Sequence, residues 1–376
     1  MWMSLLAAAL VATSASAADI VSGGLYYQIT GDSEVAVVAP DDGTTYEGIY
    51  IIPEAVSVDG FNYSVTAIAD SAFFQAEATE VQIPNSVLTI GEGAFALDEE
   101  LVSITLPINL QSVSRFMLAE TSIINIAIPE GVTTIGYGAF QSCSQLHTVF
   151  LPSTTTTLLA YAFNNCHNLF EIYCAAPTPP KATAWAIFIG LTGIDLIVPD
   201  EEAADRYAAD GVWGDTETFS IWKSDEVGMS MSLNGEVFRD NWMRLPLGEN
   251  MAYKIYGSDG YLQALTAADY YYFEILDHDE TYLIVPTTLM ADGEDMAYTV
   301  QSSGIVEPFD EEPHPIIVAH DGTIYISGDN HGKWTRVWDM YGMLWYERPS
   351  VNNVISLPTG RVYIVQVGNY VKKIVL

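Results

Sequence analysis

A short pattern, aliphatic–x–aliphatic–Pro, recurs along the first half of this chain at an almost constant interval. The regular copies are Val81–Pro84, Ile104–Pro107, Ile126–Pro129 and Val149–Pro152, and a degenerate copy follows at Leu196–Pro199. The prolines of the regular copies lie 23, 22 and 23 residues apart. A period in this range predicts a solenoid, in which each repeat buries its apolar edge against its neighbours. Such stacks build surfaces more readily than catalytic pockets.

Each copy alternates with period two, which predicts a strand with one buried face. Val149 and Leu151 are predicted to point inward and Phe150 outward, and Pro152 ends the strand because it has no N–H for the next ladder bond. Phenylalanines upstream of the prolines are predicted to fill the space between rungs. They are Phe73, Phe95, Phe116, Phe140 and Phe163. The third repeat is irregular, since Arg115-Phe116-Met117 stands where its neighbours have Gly-Ala-Phe.

Outward strand residues of successive repeats are predicted to form two columns on one sheet face. The first column is Glu80, Ser103, Asn125, Thr148, Glu171 and Asp195, and the second is Gln82, Thr105, Ala127, Phe150, Tyr173 and Ile197. Adjacent rungs lie about 4.8 Å apart, so Phe150, Tyr173 and Ile197 would form one apolar patch flanked by Glu171 and Asp195. We interpret this patch as a candidate ligand-binding strip. The alternative is that the segment after Pro199, or the next domain, covers it.

The three cysteines follow the same repeat. Cys143 and Cys166 each lie three residues after a repeat phenylalanine, and Cys174 takes an inward strand position. We expect three buried thiols that act as small hydrophobic side chains. No metal-ligand spacing is present, and a Cys143–Cys166 disulfide is the alternative in an oxidising compartment.

These motifs carry a family resemblance. Ile90-Gly91-Glu92-Gly93-Ala94-Phe95, Ile135-Gly136-Tyr137-Gly138-Ala139-Phe140 and the proline-ended strands resemble the BspA-like leucine-rich repeats of bacterial cell-surface proteins. The resemblance extends over roughly residues 20–222: the stretch from Tyr46 to Thr66 looks like the family's opening cap, and Leu196 to Trp213 looks like its closing strand and helix. It implies a leucine-rich-repeat solenoid with caps over residues 18–223 and a role in adhesion to host or neighbouring-cell proteins.

The second half of the chain loses this period and shows short alternating strands with Asp-Gly turns. We expect a mainly β protein, with the solenoid followed by two small Ig-like β-sandwich domains at residues 224–310 and 311–376. The stretch 309–315 reads as a linker, being acidic with two prolines. The pattern from Val337 to the terminal Lys372-Lys373 resembles the C-terminal sorting domain of type IX secretion cargo, which implies export to the surface of a Gram-negative bacterium. The alternative role of the terminal lysines is to solubilise an edge strand.

Charge and hydropathy limit the compartment and the partners. The chain carries a formal charge of -35, with 13 Lys or Arg against 48 Asp or Glu. Such a surface repels phosphate backbones, so we expect no nucleic-acid partner. Residues 4–12 are apolar and precede Ala15-Ser16-Ala17, which predicts a signal peptide at residues 1–17. No later run is long enough to predict a transmembrane helix.

Signatures of catalysis or of cofactor binding are absent from the sequence. The six histidines show no metal spacing, and neither a nucleophile elbow nor a phosphate-binding glycine loop occurs. Asp277-His278-Asp279-Glu280 lacks the glycine and glutamate of a calcium loop and reads as a hairpin turn. Tyr270–Phe273 could form a sugar-stacking platform, although strand alternation favours core packing of two of the four rings.

The sequence therefore predicts a secreted or surface-displayed, non-enzymatic binding or adhesion protein that needs no cofactor and contacts an extracellular protein through its solenoid. The candidate site residues are Phe150, Tyr173, Ile197, Glu171 and Asp195. The alternative is an extracellular carbohydrate-binding module, or an accessory to polysaccharide use, with a glycan as partner.

Overall fold

The computed structural model describes three successive units. It covers residues 18–183, 185–224, 236–239, 242–247, 251–274, 276, 280–290, 292 and 296–300, and then 316–320, 323–327, 334–339, 344–349, 353–358, 362–367 and 370–375. The chain is mainly β, with a solenoid of about six turns. In the described residues, no helix is long and apolar enough to cross a membrane. The predicted signal peptide, the 309–315 linker, the Asp321-Gly322 turn and residues Asp277–Asp279 lie outside this description.

The first unit opens with a small cap of strands in the order β1-β2-β3-β6-β5. The strands up to this point are β1 (Ile20–Ser22), β2 (Leu25–Gly31), β3 (Glu34–Val38), β4 (Glu47–Ile51), β5 (Ala55–Val58) and β6 (Phe61–Ile68). Tyr46 lies fully buried at the end of the cap, where its hydroxyl donates to the carbonyl of Val38 at 2.5 Å. Its ring meets Phe73 of the first repeat at 4.3 Å, so the cap continues the solenoid core without a gap.

The solenoid has two ladders of parallel strands. The strands are β7 (Glu77–Gln82), β8 (Thr89–Ile90), β9 (Ser103–Thr105), β10 (Ser112–Val113), β11 (Asn125–Ala127), β12 (Thr134–Ile135), β13 (Thr148–Leu151), β14 (Thr157–Leu158), β15 (Glu171–Cys174), β16 (Lys181–Ala182), β17 (Ile194–Val198) and β18 (Phe219–Lys223). The longer strands form the sheets β4-β7-β9 and β11-β13-β15-β17-β18. Of the two-residue strands, β8 pairs with β6 of the cap, and the others form the sheet β10-β12-β14-β16. The predicted inward residues Val149 and Leu151 are fully buried.

An aromatic ladder fills the space between rungs. Phe73 stacks on Phe95 at 4.9 Å, and Phe140 stacks on Phe163 at 5.2 Å. The prediction for Phe116 was wrong. Leu118 takes the ladder position, because its backbone N–H donates a hydrogen bond to the next rung, as the backbone N–H groups of the ladder phenylalanines in the adjacent rungs do.

Phe116 instead occupies a backbone position with left-handed φ. Each rung turns through two such residues four apart, and the equivalents of Phe116 in the rungs before and after are Gly93 and Gly138. The φ of Phe116 is 53°, a conformation that bulky residues rarely adopt. Its ring lies directly over Gly138, where a Cβ would come within 2.4 Å of it. The irregular third repeat therefore places an aromatic ring outside the main core, and Gly138 makes room for it.

A strand and a short helix follow the last repeat, where the resemblance implied a closing cap. A 3₁₀ turn at Trp185–Phe188 leads through β17 to helix α1 (Glu201–Ala208), which is N-capped by Asp200 through a 2.8 Å bond from the backbone N–H of Ala203. The hydroxyl of Tyr207 donates to the carbonyl of Ala176, and the indole of Trp213 donates to the carbonyl of Pro180. Both rings are fully buried and end the apolar core.

The second unit consists of two antiparallel sheets that share one hydrophobic core. Its strands are β19 (Glu236–Arg239), β20 (Trp242–Pro246), β21 (Ala252–Tyr256), β22 (Leu262–Thr266), β23 (Tyr270–Glu274), β24 (Glu280–Thr287) and β25 (Met296–Val300). The sheets are β19-β20-β23 and β22-β21-β24-β25. Leu245 and Phe273 from one sheet meet Tyr253 and Ile284 from the other in this core.

The third unit repeats this arrangement with a smaller described core. Its strands are β26 (Ile316–His320), β27 (Thr323–Ser327), β28 (Trp334–Asp339), β29 (Leu344–Pro349), β30 (Asn353–Ser356), β31 (Val362–Val367) and β32 (Tyr370–Val375). They form the antiparallel sheets β26-β27-β30 and β29-β28-β31-β32 around Val337, Tyr363 and Val365. That either unit is an Ig-like domain, and that the last is a sorting domain, stay predictions.

Candidate binding face of the solenoid

The long strands β13, β15 and β17 lie in one sheet and present the later residues of the two predicted columns in the predicted register. Thr148 lies opposite Glu171, and Glu171 opposite Asp195; Phe150 lies opposite Tyr173, and Tyr173 opposite Ile197. β18 extends both columns by one rung, with Ser220 beside Asp195 and Trp222 beside Ile197. The sequence columns stopped at β17 because β18 follows the closing helix and carries no proline to mark it.

The second unit covers the first half of this face. Phe150, predicted to be part of an exposed strip, is fully buried, and Ala127 before it is 2% exposed. Ala252, Leu265 and Ala267 of the second unit pack against them. The prediction of exposure was therefore wrong for Phe150, because the next unit along the chain takes up its apolar surface. The alternative stated for the strip, that it is an interdomain contact, holds at this end.

Polar bonds hold the second unit in register on the covered half. The side-chain amide of Gln82 donates to the carbonyl of Tyr272 at 2.9 Å and accepts from its N–H at 3.0 Å. The Tyr272 hydroxyl donates to Glu80 at 2.7 Å, and the hydroxyls of Thr105 and Thr266 are 2.8 Å apart. Burial raises the pKa of Glu80, which the Tyr272 hydroxyl partly opposes.

The other half of the face is open. The open end, as we call it, consists of Glu171, Tyr173, Asp195, Ile197, Ser220 and Trp222. Tyr173 is half-buried because it stacks on Phe150 at 4.8 Å, with 13° between the rings, while Ile197 is half-exposed and Trp222 is 57% exposed. The Trp222 indole donates to Asp195 at 2.8 Å, which fixes the ring beside the acidic column. Burial, with Glu171 and Asp195 nearby, raises the pKa of Tyr173.

A second apolar ladder, missed in the sequence, lies along the edge of the same sheet. Val102, Ile124, His147 and Phe170 stand just before successive strands, and their backbones are hydrogen-bonded from rung to rung. Phe170 is 48% exposed and its ring meets His147 at 5.2 Å. The sequence carries this signal, since these residues keep the repeat interval, but each lies one residue before its strand rather than at an outward position within it.

The cysteines are buried and unpaired, as predicted. The thiols of Cys143 and Cys166 donate to the carbonyls of Leu118 and Phe140 at 2.9 and 3.0 Å, and Cys174 lies 3.1 Å from the Tyr207 hydroxyl. Burial raises the pKa of Cys143 and of Cys174 to about 11. These thiols are structural rather than nucleophilic.

The remaining candidates are those histidines that the structure describes on the solenoid and the aromatic run of β23. His167 is exposed and His147 half-buried on the solenoid edge. In the part of the chain that the structure describes, no three His, Cys, Asp or Glu side chains converge as a metal site. Along β23 the rings alternate as expected: Phe273 lies in the core of the second unit with Tyr271 packed against it, while Tyr272 faces the solenoid. Tyr270 contacts the Arg244 guanidinium at 4.4 Å, so the four rings do not form one platform.

The repeat geometry agrees with a known family. Residues 66–178 match the family model described as BspA type leucine-rich repeat region, in six copies. That stretch is less than a third of the chain. No curated protein matches the chain.

Several solved leucine-rich repeat proteins have a similar solenoid. A leucine-rich repeat protein from Bacteroides ovatus ATCC 8483 is 24% identical over 48% of this chain and 59% of its own, with a TM-score of 0.35. The T. pallidum leucine-rich repeat protein is 24% identical over 48% of this chain and 75% of its own, with a TM-score of 0.36. One from Bacteroides capillosus ATCC 29799 is 30% identical over 30% of this chain and 83% of its own, with a TM-score of 0.27. The chain thus spans just under three fifths of the first of these proteins.

Proposed function

We propose that this chain is a non-enzymatic binding protein of the bacterial cell surface, and that it holds a partner protein on the open end of its solenoid sheet. One observation carries the proposal: Trp222 and Ile197 stand side by side on the sheet and remain accessible, while Phe150 in the same column is sealed under the second unit. Exposed aromatic side chains next to apolar ones are typical centres of protein interfaces.

The acidic column indicates the chemistry of the partner. Glu171 and Asp195 lie side by side on adjacent rungs, and the Trp222 indole donates a hydrogen bond to Asp195. The whole chain is strongly acidic, at -35. A complementary partner would present an apolar side chain for Trp222 and Ile197 with Lys or Arg beside it. Electrostatic attraction of this kind raises the association rate and weakens as salt rises.

Location outside the cell rests on sequence and family. The predicted signal peptide and the sorting-domain resemblance both favour export. BspA-type leucine-rich repeat proteins are bacterial surface proteins, and this chain carries six such repeats. The buried, unpaired thiols are compatible with an oxidising compartment because no solvent reaches them.

The test is binding of the full chain to a plate-bound panel of extracellular matrix proteins, at low and at high salt. An Ile197→Ser, Trp222→Ser double variant should lose at least tenfold in affinity for any panel member that wild type binds. A Glu171→Gln, Asp195→Asn variant should keep most of the affinity at high salt and lose its salt dependence.

A matched control removes an exposed aromatic side chain elsewhere. Tyr261 is 75% exposed on a turn of the second unit, and a Tyr261→Ser variant should bind as wild type does. Equal binding by wild type and the double variant would overturn the assignment of the open end. If wild type binds no panel member, the hypothesis that the partner is an extracellular matrix protein is overturned.

A further inference from the structure

A cleft lies between the solenoid and the second unit, away from the open end. Its volume is about 430 Å³, within the range of sites that hold small ligands. One wall consists of solenoid residues around Glu54 and Asn85, and the other of residues from β20, β22, β23 and β24.

Aromatic side chains line the wall from the second unit. Trp242, Tyr271 and Tyr282 line this wall and are each half-buried. Phe273 lies behind them, with its ring 4.8 Å from Tyr271 and 4.4 Å from Tyr282, and fixes both tyrosines. Rings held in this way offer flat apolar surfaces, and their polar atoms can bond a ligand edge.

The polar lining contains acceptors and amides but no cation. Glu54 and Glu274 are exposed residues of the lining, and Gln263 and Asn85 add residues with amide groups. None of the lining residues within the described chain is Lys, Arg or His. Anionic ligands are therefore disfavoured, and a ligand that donates several hydrogen bonds is favoured.

The base of the cleft is already braced in the structure. Gln82 pairs with the main chain of Tyr272, and the Asn85 side chain donates to the carbonyl of Gln263 at 2.6 Å while accepting from the N–H of Ile108 at 3.0 Å. A preformed site loses little conformational entropy on binding. This favours a specific small ligand over incidental space between two units.

We propose that this cleft binds a neutral oligosaccharide. A sugar ring has an apolar C–H face, against which Trp242, Tyr271 or Tyr282 can pack. It also carries hydroxyl groups, which can donate hydrogen bonds to the carboxylates of Glu54 and Glu274. The dimensions suit one or two hexose units, with the rest of the chain leaving through the open mouth. The inference rests on the cleft alone and is independent of the partner proposed for the open end.

The test is a calorimetric titration of the full chain with three neutral probes, maltotriose, cellotriose and chitotriose, and with spermidine as a cationic probe. At least one trisaccharide should bind saturably, with an affinity that 0.5 M NaCl leaves unchanged. Glu54→Gln and Glu274→Gln should each weaken that binding about tenfold, and Trp242→Ala by more. Glu54 and Glu274 are exposed, so their variants are expected to fold even if Trp242→Ala does not.

Two further outcomes separate this proposal from its neighbours. The Ile197→Ser, Trp222→Ser variant should bind the trisaccharide as wild type does, because the open end is a different surface. Saturable binding of spermidine that salt abolishes, without binding of any trisaccharide, would overturn the proposal in favour of a cation site. Binding of none of the four probes, or trisaccharide binding that all three cleft variants retain, would overturn it as well.

Discussion

The side-chain amide of Gln82 and the main chain of Tyr272 pair as two adjacent strands would, although the residues lie 190 positions apart in sequence. Gln82 sits in the outward column of the solenoid sheet, on β7, and Tyr272 in the middle of β23. A single glutamine thus satisfies a backbone N–H and a backbone carbonyl of the second unit. Together with the bond from Tyr272 to Glu80, this pairing anchors the second unit on the covered half of the sheet face.

Gln82→Ala should remove the side-chain oxygen that accepts a hydrogen bond from the backbone N–H of Tyr272. Two hydrogen bonds are lost and the partner groups stay partly buried, which costs about 1–3 kcal/mol. Hydrogen exchange at the Tyr272 amide should accelerate by at least tenfold, while amides of the solenoid core keep their protection. Gln111, exposed on the same solenoid, provides the control, since Gln111→Ala should leave Tyr272 protected. Unchanged exchange in Gln82→Ala would mean that the two units do not meet as described.

Asp98 gives the solenoid a dependence on pH. Its side chain is fully buried, at the repeat position that Thr121, Cys143 and Cys166 occupy in later rungs. Burial raises the pKa of Asp98 to about 7, and Glu100 and Glu77 add to the effect. The folded state therefore holds a proton that the unfolded chain releases near pH 4. We expect the contribution of Asp98 to stability to fall as pH rises from about 4 to about 7, by up to about 4 kcal/mol.

Asp98→Thr should remove this loss, because threonine carries no titrating group and already fits the next rung as Thr121. In urea unfolding from pH 4 to pH 8, the free energy of unfolding of the variant should increase relative to that of wild type as pH rises. The difference should then stay constant above about pH 7. Glu80 and Glu120, whose pKa values burial also raises, leave a smaller slope in both proteins. Glu99→Gln, at an exposed neighbour, is the control. Parallel pH profiles for Asp98→Thr and wild type would refute the account.

Phe140→Ala should destabilise the solenoid by about 3–5 kcal/mol, the usual cost of emptying a buried aromatic site. Phe140 is fully buried and stacked on Phe163. Repeats share interfaces, so the loss should spread to neighbouring rungs and lower the melting temperature of the whole solenoid. Phe170→Ala, at the half-exposed edge ladder, should cost far less. If the two variants melt alike, the assignment of inward and edge positions is wrong.

The thiols should resist modification in the folded chain. Burial keeps the pKa of Cys143 at about 11, so little thiolate forms near neutral pH. A bulky maleimide should label none of Cys143, Cys166 and Cys174 within minutes in native buffer, and all three after denaturation. Mass spectrometry that finds rapid native labelling of Cys166 would show an opening of the solenoid that this structure does not contain.

The sequence predicted much of the solenoid because its pattern is local. Each rung repeats the same strand, so the inward residues Val149 and Leu151 and the two outward columns follow from position, whereas the closing strand and helix were implied only by the family resemblance. Phe116 was misassigned since spacing cannot distinguish a ladder residue from a left-handed turn residue two positions earlier. Only the backbone bonds of Leu118 decide it.

The candidate site was only partly predictable, because burial of an outward residue depends on what packs against it. Phe150 and Ile197 belong to one column and look equivalent in sequence. One is covered since Leu265 and Ala267, more than 100 residues further on, fold back over it. The cleft has the same origin: Glu54 and Trp242 meet only through a contact between two units, which no local pattern encodes.

Hydroxyl-radical footprinting of the intact chain tests the central claim most directly, namely that the second unit divides the sheet face into a covered half and an open end. Phe150 is fully buried, whereas Phe61 and Phe170 are 67% and 48% exposed and report the rate for accessible phenylalanine. We expect strong oxidation of Trp222, Phe61 and Phe170 and protection of Phe150. Oxidation of Phe150 at the rate of Phe170, or protection of Trp222, would contradict the account.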